Sequence, residues 1–162
     1  MSVDMFLDLK GIPGESIDAK HKGKINVLAW SWGMSNTGTT HLGSGGGAGK
    51  VNVQDLSITK YVDKASPILM LNCCQGTHIP EGKLIVRKAG GKNPLEYMVF
   101  TLKDIIVTNV STGGSANQAE LLTENVTLNF REVKYEYSEQ KPDGSGGPVI
   151  TMGYNIGKNA VV

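Results

Sequence analysis

The stretch LTENVTLNFREVKYEY, from Leu122 to Tyr137, alternates apolar and polar residues and changes phase once. The apolar positions of its two halves are out of step by one residue: Val126, Leu128 and Phe130 in the first half, then Val133, Tyr135 and Tyr137 in the second. A phase change of this kind within a strand is the effect of a β-bulge, which bends the strand. The stretch therefore predicts one long, bent β-strand.

Residues 51–60 change phase in the same way, because their apolar positions move from Val51 and Val53 to Leu56 and Ile58. Two bent strands curve a sheet toward closure. The remaining predicted strands lie at residues 3–9, 24–34, 83–88, 95–110 and 149–156. We expect a mainly β fold, either a closed or nearly closed β-barrel of two antiparallel sheets or a strongly coiled sandwich.

The predicted strand at residues 24–34 carries two tryptophans. Trp30 and Trp32 share one face with Leu28 and Met34, because alternate residues of a strand point to the same side. We expect this face in the core. Ser31 lies on the opposite face, which becomes smaller and more polar along the strand and therefore faces a different environment.

One segment departs from the β pattern. Ser66 as N-cap, Pro67 at the first helical position and Gly76 after the last turn predict a short α-helix. Its residues are apolar on most sides, so we expect it to pack against the barrel. Cys73 and Cys74 lie on this helix and are expected to be buried thiols.

The composition limits the class of protein. The chain has 162 residues, the length of about one domain, and we expect a single domain over residues 1–162. Its formal net charge is only +1, which indicates no nucleic-acid partner. The start of the chain lacks the pattern of a signal peptide, and no apolar run reaches the roughly 20 residues that span a bilayer. The only two cysteines are adjacent, which predicts free thiols in a protein that folds in the cytosol.

Glycine is enriched, with 21 residues where an average usage of roughly 7% would give about 11. The run GSGGGAGK at residues 43–50 is similar to a phosphate-binding loop, but Ser44 stands where that motif needs glycine and Val51 where it needs serine or threonine. The alternating residues that follow predict a strand, which offers no helix N-terminus to a phosphate. We interpret residues 36–50 as an arm that approaches another backbone, with a surface loop as the alternative.

The sequence predicts no catalytic, cofactor or metal site. Cys73, Cys74 and His78 lack the spacing of a zinc site. His21 and His41 lie on predicted loops, where surface residues are the simplest interpretation. Neither a nucleophile elbow nor a cysteine-protease signature occurs. We therefore expect a non-catalytic protein without a cofactor.

Several motifs, taken in order, resemble the haemolysin-coregulated protein (Hcp) family. They are Gly11-Ile-Pro-Gly14-Glu-Ser16, His21, Val27-Leu-Ala-Trp30-Ser-Trp32-Gly33, Gly45-Gly-Gly-Ala-Gly-Lys50-Val51-Asn-Val-Gln-Asp55, Thr59-Lys60, Asp63, Arg87-Lys-Ala-Gly90, Thr112-Gly-Gly114, Leu122-Thr-Glu-Asn-Val-Thr-Leu-Asn129 and Gly147-Pro148. No single motif is diagnostic, whereas the ordered set is specific and covers nearly the whole chain. The adjacent cysteines and the tail from Tyr154 to Lys158 differ from the commonest versions of the family.

The resemblance implies a β-barrel with one short flanking α-helix and an extended glycine-rich arm. It also implies a hexameric ring, and rings that stack into the inner tube of the type VI secretion system. A contractile sheath would drive this tube, tipped by a spike protein, out of the bacterial cytoplasm into the extracellular space or a target cell, without a signal peptide or membrane insertion. Because the chain ends soon after its last predicted strand, we expect a tube subunit without a toxin domain.

Two sets of contact residues are expected, the first from the resemblance and the second from the small polar face of the strand that carries the tryptophans. The arm would contact a neighbouring subunit or ring, and its residues are Thr39, Thr40, His41, Leu42, Gly43, Ser44, Gly45, Gly46, Gly47, Ala48, Gly49 and Lys50. Ser31 is the candidate for contact with effector proteins in the ring lumen. Two alternatives stay open: a protein similar to bacteriophage tail-tube subunits, and a monomeric β-barrel that binds a small ligand or carbohydrate.

Overall fold

The structure of the protein is a computed structural model that describes residues 2–43, 47, 49–88, 93–117 and 122–162. In these residues the secondary structure consists, in chain order, of β1 (Val3–Leu9), β2 (Ile25–Ser31), β3 (Met34–Ser35), β4 (Asn52–Val53), β5 (Leu56–Tyr61), α1 (Ser66–Gln75), β6 (Ile79–Lys88), β7 (Leu95–Thr112), β8 (Thr123–Gln140), β9 (Gly146–Asn155) and β10 (Ala160–Val161). None of the described residues belongs to a helix that is long and apolar enough to cross a membrane.

Six strands form a closed antiparallel barrel in the order β8-β5-β2-β1-β6-β7, because β7 and β8 also pair with each other. β9 pairs with the second half of β8, and β10 pairs with the end of β9. The predicted mainly β barrel with one helix is confirmed. β3 and β4 form a separate two-stranded sheet at the base of the glycine-rich arm.

The barrel has two layers that share its two longest strands, β7 and β8. Layer 1 has the strand order β2-β5-β8-β7 and contains the first part of β8 with the last part of β7. Layer 2 has the order β1-β6-β7-β8-β9-β10 and contains the other parts of both strands. Apolar side chains from both layers fill the space between them, as expected for packed sheets.

The long strands bend where they pass from one layer to the other. Two successive rows of buried partners cross the bend: Ile79, Ile105 and Phe130, then Gly82, Leu102 and Val133. In a regular strand one residue separates successive inward-facing residues, but here two residues of each strand separate the rows. β6, β7 and β8 therefore all change the face that points inward, and the pairing between them does not shift at the bend. Asp104 lies in this bend with a φ of +55°, a conformation that aspartate tolerates better than most residues. The predicted phase change in β8 is confirmed, but the predicted β-bulge is wrong, because the pairing of β7 with β8 does not shift between Phe130 and Val133.

The phase change at residues 51–60 has a different cause. β4 ends at Val53 and β5 begins at Leu56, so Gln54 and Asp55 interrupt the chain of strand residues. β4 pairs only with β3 among the described residues, whereas β5 belongs to the barrel. The prediction of one bulged strand in this segment is therefore wrong.

The predicted strand at residues 24–34 is also divided, since β2 ends at Ser31. The register between β2 and β5 shifts between Val27 and Ala29. Val27 and Trp30 consequently both point toward the core, and Leu28 between them is exposed. The prediction that Leu28 shares the core face of the tryptophans is wrong for this reason.

The two tryptophans themselves pack as predicted. Trp30 and Trp32 both meet the buried Phe100 ring edge-on, with ring centroids 5.2 and 5.3 Å apart. Tyr135 approaches the same ring at 4.8 Å. Such edge-to-face contacts add to the stabilisation that comes from burying the rings. Trp32 thereby connects the core to the base of the arm.

Helix α1 begins one residue earlier than the predicted cap allows. Its N-cap is Ala65, and Ser66 is already the first helical residue, so the prediction of Ser66 as N-cap is wrong. The Ser66 hydroxyl instead accepts a hydrogen bond from the Asp63 amide at 3.0 Å, and an Asp63 oxygen accepts one from the Ala65 amide at 3.0 Å. Gly76 ends the helix with a φ of +63°, as predicted, and its amide bonds to the Asn72 carbonyl.

Buried charges anchor the start of α1 to the barrel. Lys60 is 0% exposed, and its ammonium donates to Asp63 at 2.8 Å and to Ser66 at 3.2 Å. It also pairs with Glu124, which is 1% exposed. The Ser66 hydroxyl donates to Glu124 at 2.5 Å. Each buried charge thus meets an opposite charge, which is the condition for burying either one.

The two thiols on α1 differ in exposure. Cys73 is half-buried against the core, whereas Cys74 is exposed. The prediction that both are buried is wrong for Cys74, because the helix turns only one side toward the barrel. Leu71 is exposed on the same outer side.

Candidate assembly and lumen surfaces

Ser31 lies on a continuous polar surface of layer 1. It pairs with Ser57 on β5, which pairs with Thr127 on β8, which pairs with Asn109 on β7. Directly paired residues share a face, so all four point away from the core. With the neighbouring row they form the polar face, which consists of Ala29, Ser31, Ser57, Thr59, Asn109, Ser111, Asn125 and Thr127. These side chains are small and uncharged.

Hydrogen bonds hold the side chains of the polar face in place. The Thr59 hydroxyl donates to the Asn125 side chain at 2.8 Å. The Thr127 hydroxyl lies 2.7 Å from that of Thr108, which also donates to Asp55 at 2.7 Å. The surface therefore offers hydroxyl and amide groups at fixed positions, a chemistry that suits contact with water and with varied polar protein surfaces.

Layer 1 is open at both of its edges. On one side, β2 pairs with β1 only at Asn26 and Ile25, so no strand among the described residues lies beside residues 28–31. At the other edge, β6 pairs with β7 only as far as Ile105. Residues 106–112 therefore pair with β8 on one side and, in the described part of the chain, have no strand on their outer side. Unpaired strand edges are templates for further strands. Sequence patterns identified both strands but not where their pairing ends.

The arm is a hairpin that leaves the barrel at Trp32 and returns at Gln54. The Trp32 indole donates to the Gln54 carbonyl at 2.9 Å, and the Gln54 amide donates to the Gly33 carbonyl at 2.9 Å. Beyond β3 and β4 the hairpin continues through a bond from the Gly49 amide to the Thr37 carbonyl at 3.3 Å. A Cβ at Gly49 would collide with the Thr37 hydroxyl oxygen, so the Thr37 side chain would have to rotate to make room for it.

The predicted contact residues of the arm lie at its far end. Thr39 is half-buried, and its hydroxyl donates a hydrogen bond to the Gly47 carbonyl at 2.7 Å. Leu42 is an apolar side chain that is 68% exposed. The exposed members are Thr40, His41, Leu42, Gly43, Gly47, Gly49 and Lys50. Ser44, Gly45, Gly46 and Ala48 lie outside the described residues.

An apolar groove of about 740 Å³ runs between the base of the arm and the end of layer 2. Its lining includes Trp32 and Met34 from the arm side and Met152, Tyr154 and Val162 from β9 and the C-terminus. None of the described residues that line it has a charged side chain. The groove was not predicted from the sequence, because the residues named on its two sides lie more than a hundred positions apart in the chain.

Residues 11–24, which we call the strap, join β1 to β2 across the outer side of layer 2. The buried Arg87 guanidinium donates to the Asp18 carboxylate at 3.0 and 2.5 Å and to Asp4 at 3.0 Å. The bonds from Arg87 hold the pKa of Asp18 well below its ordinary value, and Asp18 in turn raises the pKa of Arg87. His21 is buried and stacks on Phe6 with ring centroids 4.7 Å apart, so the interpretation of His21 as a surface residue is wrong.

A second charged cluster lies at the bend of β7. Asp104 meets the His78 ring at 2.5 Å and the Arg131 guanidinium at 3.1 Å. The hydrogen bond with His78 and the charge of Arg131 lower the pKa of Asp104. Among the described residues, no group of three His, Cys, Asp or Glu side chains is arranged to hold a metal ion. The charged clusters of the chain are thus best explained as connections between its elements.

Comparison with known proteins assigns the family. The family model described as "Type VI secretion system effector, Hcp" matches residues 6–137. Protein hcp1 from Pseudomonas aeruginosa is 56% identical over 161 residues, which cover 98% of each chain. The crystal structure of Hcp1 from Salmonella typhimurium covers 100% of both chains with 43% identity and a TM-score of 0.83. A type VI secretion system effector from Yersinia pestis covers 94% of this chain and 99% of its own, with 36% identity and a TM-score of 0.75.

Hcp proteins are structural, secreted tube proteins rather than enzymes, which agrees with the prediction of a non-catalytic protein. The family match extends over the arm and most of the barrel, and the likeness to the relatives extends over the last strands as well. The resemblance that the motifs indicated is confirmed. The chain therefore belongs to the Hcp family of type VI secretion system proteins.

Proposed function

We propose that this protein is the subunit of the inner tube of a type VI secretion system, in which six copies form a ring and rings stack into a tube. Layer 1 carries this proposal. It combines a small, uncharged polar face with an open strand edge on each side. A β-sheet of this kind can continue from copy to copy and present one polar surface to an enclosed space.

The two open edges differ, because one belongs to β2 and the other to β7. A contact between β2 of one copy and β7 of the next is heterologous, and such contacts form a closed ring when each copy is rotated by the same angle. Backbone hydrogen bonds across the contact would satisfy the unpaired amides and carbonyls of both edges. The ring would then have the polar face on its inner wall.

In this ring Ser31 lies on the lumen wall and contacts effector proteins. Its small side chain and those of Ser57 and Thr127 leave space for a folded cargo. Their hydroxyl groups favour hydrogen bonds and ordered water over charge pairing. Effectors of either net charge could therefore be held in the lumen.

The arm stacks one ring on the next or joins neighbouring subunits. Its far end is exposed and carries the apolar Leu42. The two sides of the hairpin are joined there by the bond from the Gly49 amide to the Thr37 carbonyl. Further partners are the contractile sheath and the spike protein, and the tube would leave the bacterial cytoplasm with them. Sheath and spike genes beside the gene for this chain would distinguish this function from a phage tail tube.

The test combines electron microscopy with deletion of arm residues 44–48. Wild-type protein should form six-fold rings. The deletion variant should keep its barrel, as judged by an unchanged circular dichroism spectrum, and lose ring or tube assembly. Wild-type particles without six-fold symmetry would contradict the ring, and a deletion variant that assembles like wild type would contradict the role of the arm.

A further inference from the structure

We propose that Ile17 of one copy docks in the apolar groove of the next copy and forms a lateral contact of the ring. This inference rests on the proposed ring and names a pair of surfaces that the open strand edges do not include. Ile17 provides the projecting side chain, and the groove provides the matching depression. Both belong to the same chain, so one contact repeats around the ring.

Ile17 is 95% exposed at the tip of the strap. A single exposed aliphatic residue is ordinary on a protein surface, but the chain on both sides of this one is held in place. Before it, the Glu15 carboxylate accepts a hydrogen bond from the Lys64 amide at 2.7 Å. After it, Asp18 is bound by Arg87. A side chain presented on a fixed loop loses little freedom when it binds, which favours its use as an anchor.

The strap itself is packed from below. Ser16 and His21 are buried on either side of Ile17, whereas Ile17 itself projects outward. The Ser16 amide donates to the Lys24 carbonyl at 2.9 Å, and the Gly23 amide donates to the Ser16 carbonyl at 2.8 Å. These bonds fix the direction in which Ile17 projects.

The groove has the chemistry and size to accept such a side chain. Its volume of about 740 Å³ is larger than one aliphatic side chain needs, so the flanking strap residues could enter its mouth. Met34, Met152 and Val162 supply aliphatic and thioether surface, and methionine adapts readily to the shape of a partner. An apolar anchor in an apolar depression is the arrangement of an interface hot spot.

The strap and the groove lie at opposite ends of layer 2. The strap follows β1, the first strand of the order β1-β6-β7-β8-β9-β10, and the groove lies at β9 and β10. Four strand steps separate β1 from β9, which is about 19 Å at a spacing of about 4.8 Å. A surface on one side that matches a surface on the other side is the requirement for a closed ring of identical copies. A second copy is therefore the occupant that we assign to the groove.

Disulfide trapping tests the contact directly. The variant Ile17→Cys/Val162→Cys, in a Cys73→Ser/Cys74→Ser background, is oxidised with diamide and run on a non-reducing gel. Because the two positions lie at opposite ends of layer 2 in one chain, a bond between them joins different chains. We expect a ladder that extends up to six chains. The pair Leu71→Cys/Val162→Cys, which places the first thiol on the exposed side of α1, should give no ladder.

A pair of charge variants tests the contact without cysteine. Ile17→Asp should raise the concentration at which rings dissociate by about tenfold or more, as for an interface hot spot. Ala19→Asp introduces the same charge two residues away on the strap and should have a much smaller effect. Circular dichroism should show both variants folded like wild type, because neither side chain is part of the core.

The outcomes separate this inference from the proposed ring. Suppose that wild-type protein forms rings, but that Ile17→Cys/Val162→Cys gives no ladder or that the two aspartate variants have equal effects. Either result would overturn the docking of Ile17 and leave the ring intact. A monomeric wild type would overturn the ring and the docking together.

Discussion

Lys60 and Glu124 are ionisable side chains that are nearly inaccessible to water. Their mutual bond and the contacts with Asp63 and Ser66 offset part of the lost hydration, while the second oxygen of Glu124 has no hydrogen-bond partner among the described residues. Such a cluster connects the end of β5, the start of β8 and the start of α1 at one point. Its value to the fold is this connection, since an apolar replacement of the whole cluster could be equally stable.

We predict that Lys60→Met destabilises the protein by about 3–5 kcal/mol, because it leaves Glu124 buried without its cation. The double variant Lys60→Met/Glu124→Met should recover a large part of this loss. Urea denaturation of the single and double variants measures both free energies of unfolding. A double variant that is less stable than Lys60→Met would contradict the assignment of the cost to an unpaired charge.

Asp18 gives the strap a dependence on pH. Its pKa is lower in the folded protein than in the unfolded chain, because Arg87 binds its ionised form. The ionised group therefore stabilises the fold above its ordinary pKa of about 4, and this contribution is lost as the pH falls below that value toward the folded pKa. We predict that Asp18→Asn makes thermal stability less dependent on pH below about pH 4. A series of melting curves between neutral and acidic pH measures this slope, and a slope equal to that of wild type would exclude the mechanism.

At the scale of elements, Gly76 ends α1 in the left-handed region. A side chain in that conformation costs about 1–2 kcal/mol, and nothing within 4 Å would otherwise oppose an added Cβ. We predict that Gly76→Ala lowers the free energy of unfolding by about 1 kcal/mol. Gly113→Ala is the matched control, since Gly113 is exposed, has open space around it and lacks a positive φ. Equal stabilities of the two variants in urea would show that the backbone conformation at position 76 is not the cause.

Sequence patterns located the elements better than their ends and partners. Alternation predicted β1 over the residues that it occupies, and helix signals predicted α1 and its end at Gly76. The errors at Leu28 and Ser66 share one cause, because tertiary contacts decided both positions. The pairing with β5 shifts next to Leu28, and Glu124 takes the Ser66 hydroxyl. Neither partner can be inferred from residues near these positions in the chain.

The candidate surfaces were likewise predicted only in part. Ser31 was predicted on a small polar face, because the alternation of one strand determines which residues share a side. The extent of that face across β5, β8 and β7 depends on strand registers, and the apolar groove depends on the meeting of the arm base with the C-terminus. These features bring together residues that lie far apart in the chain. A single sequence does not show which of its distant residues are neighbours in the fold.

For the whole molecule, the polar face predicts how cargo binding depends on one residue. Ser31→Gln should leave the ring intact and reduce retention of an effector encoded beside the gene for this chain, because the longer side chain occupies space above the face. Co-purification of the tagged effector with wild-type and variant rings measures the difference. The conservative variant Ser31→Thr should retain more effector than Ser31→Gln. Undiminished retention by Ser31→Gln would remove Ser31 from the cargo surface.

Assembly through the two sides of the barrel is the basis of the proposed function. Layer 1 has unlike open edges, layer 2 has the strap at one end and the groove at the other, and the family is one of tube proteins. The most direct test is the mass of the wild-type protein in solution, measured by light scattering over a dilution series. We predict one principal species with six times the mass of a single chain. A single-chain mass at every concentration would contradict the account.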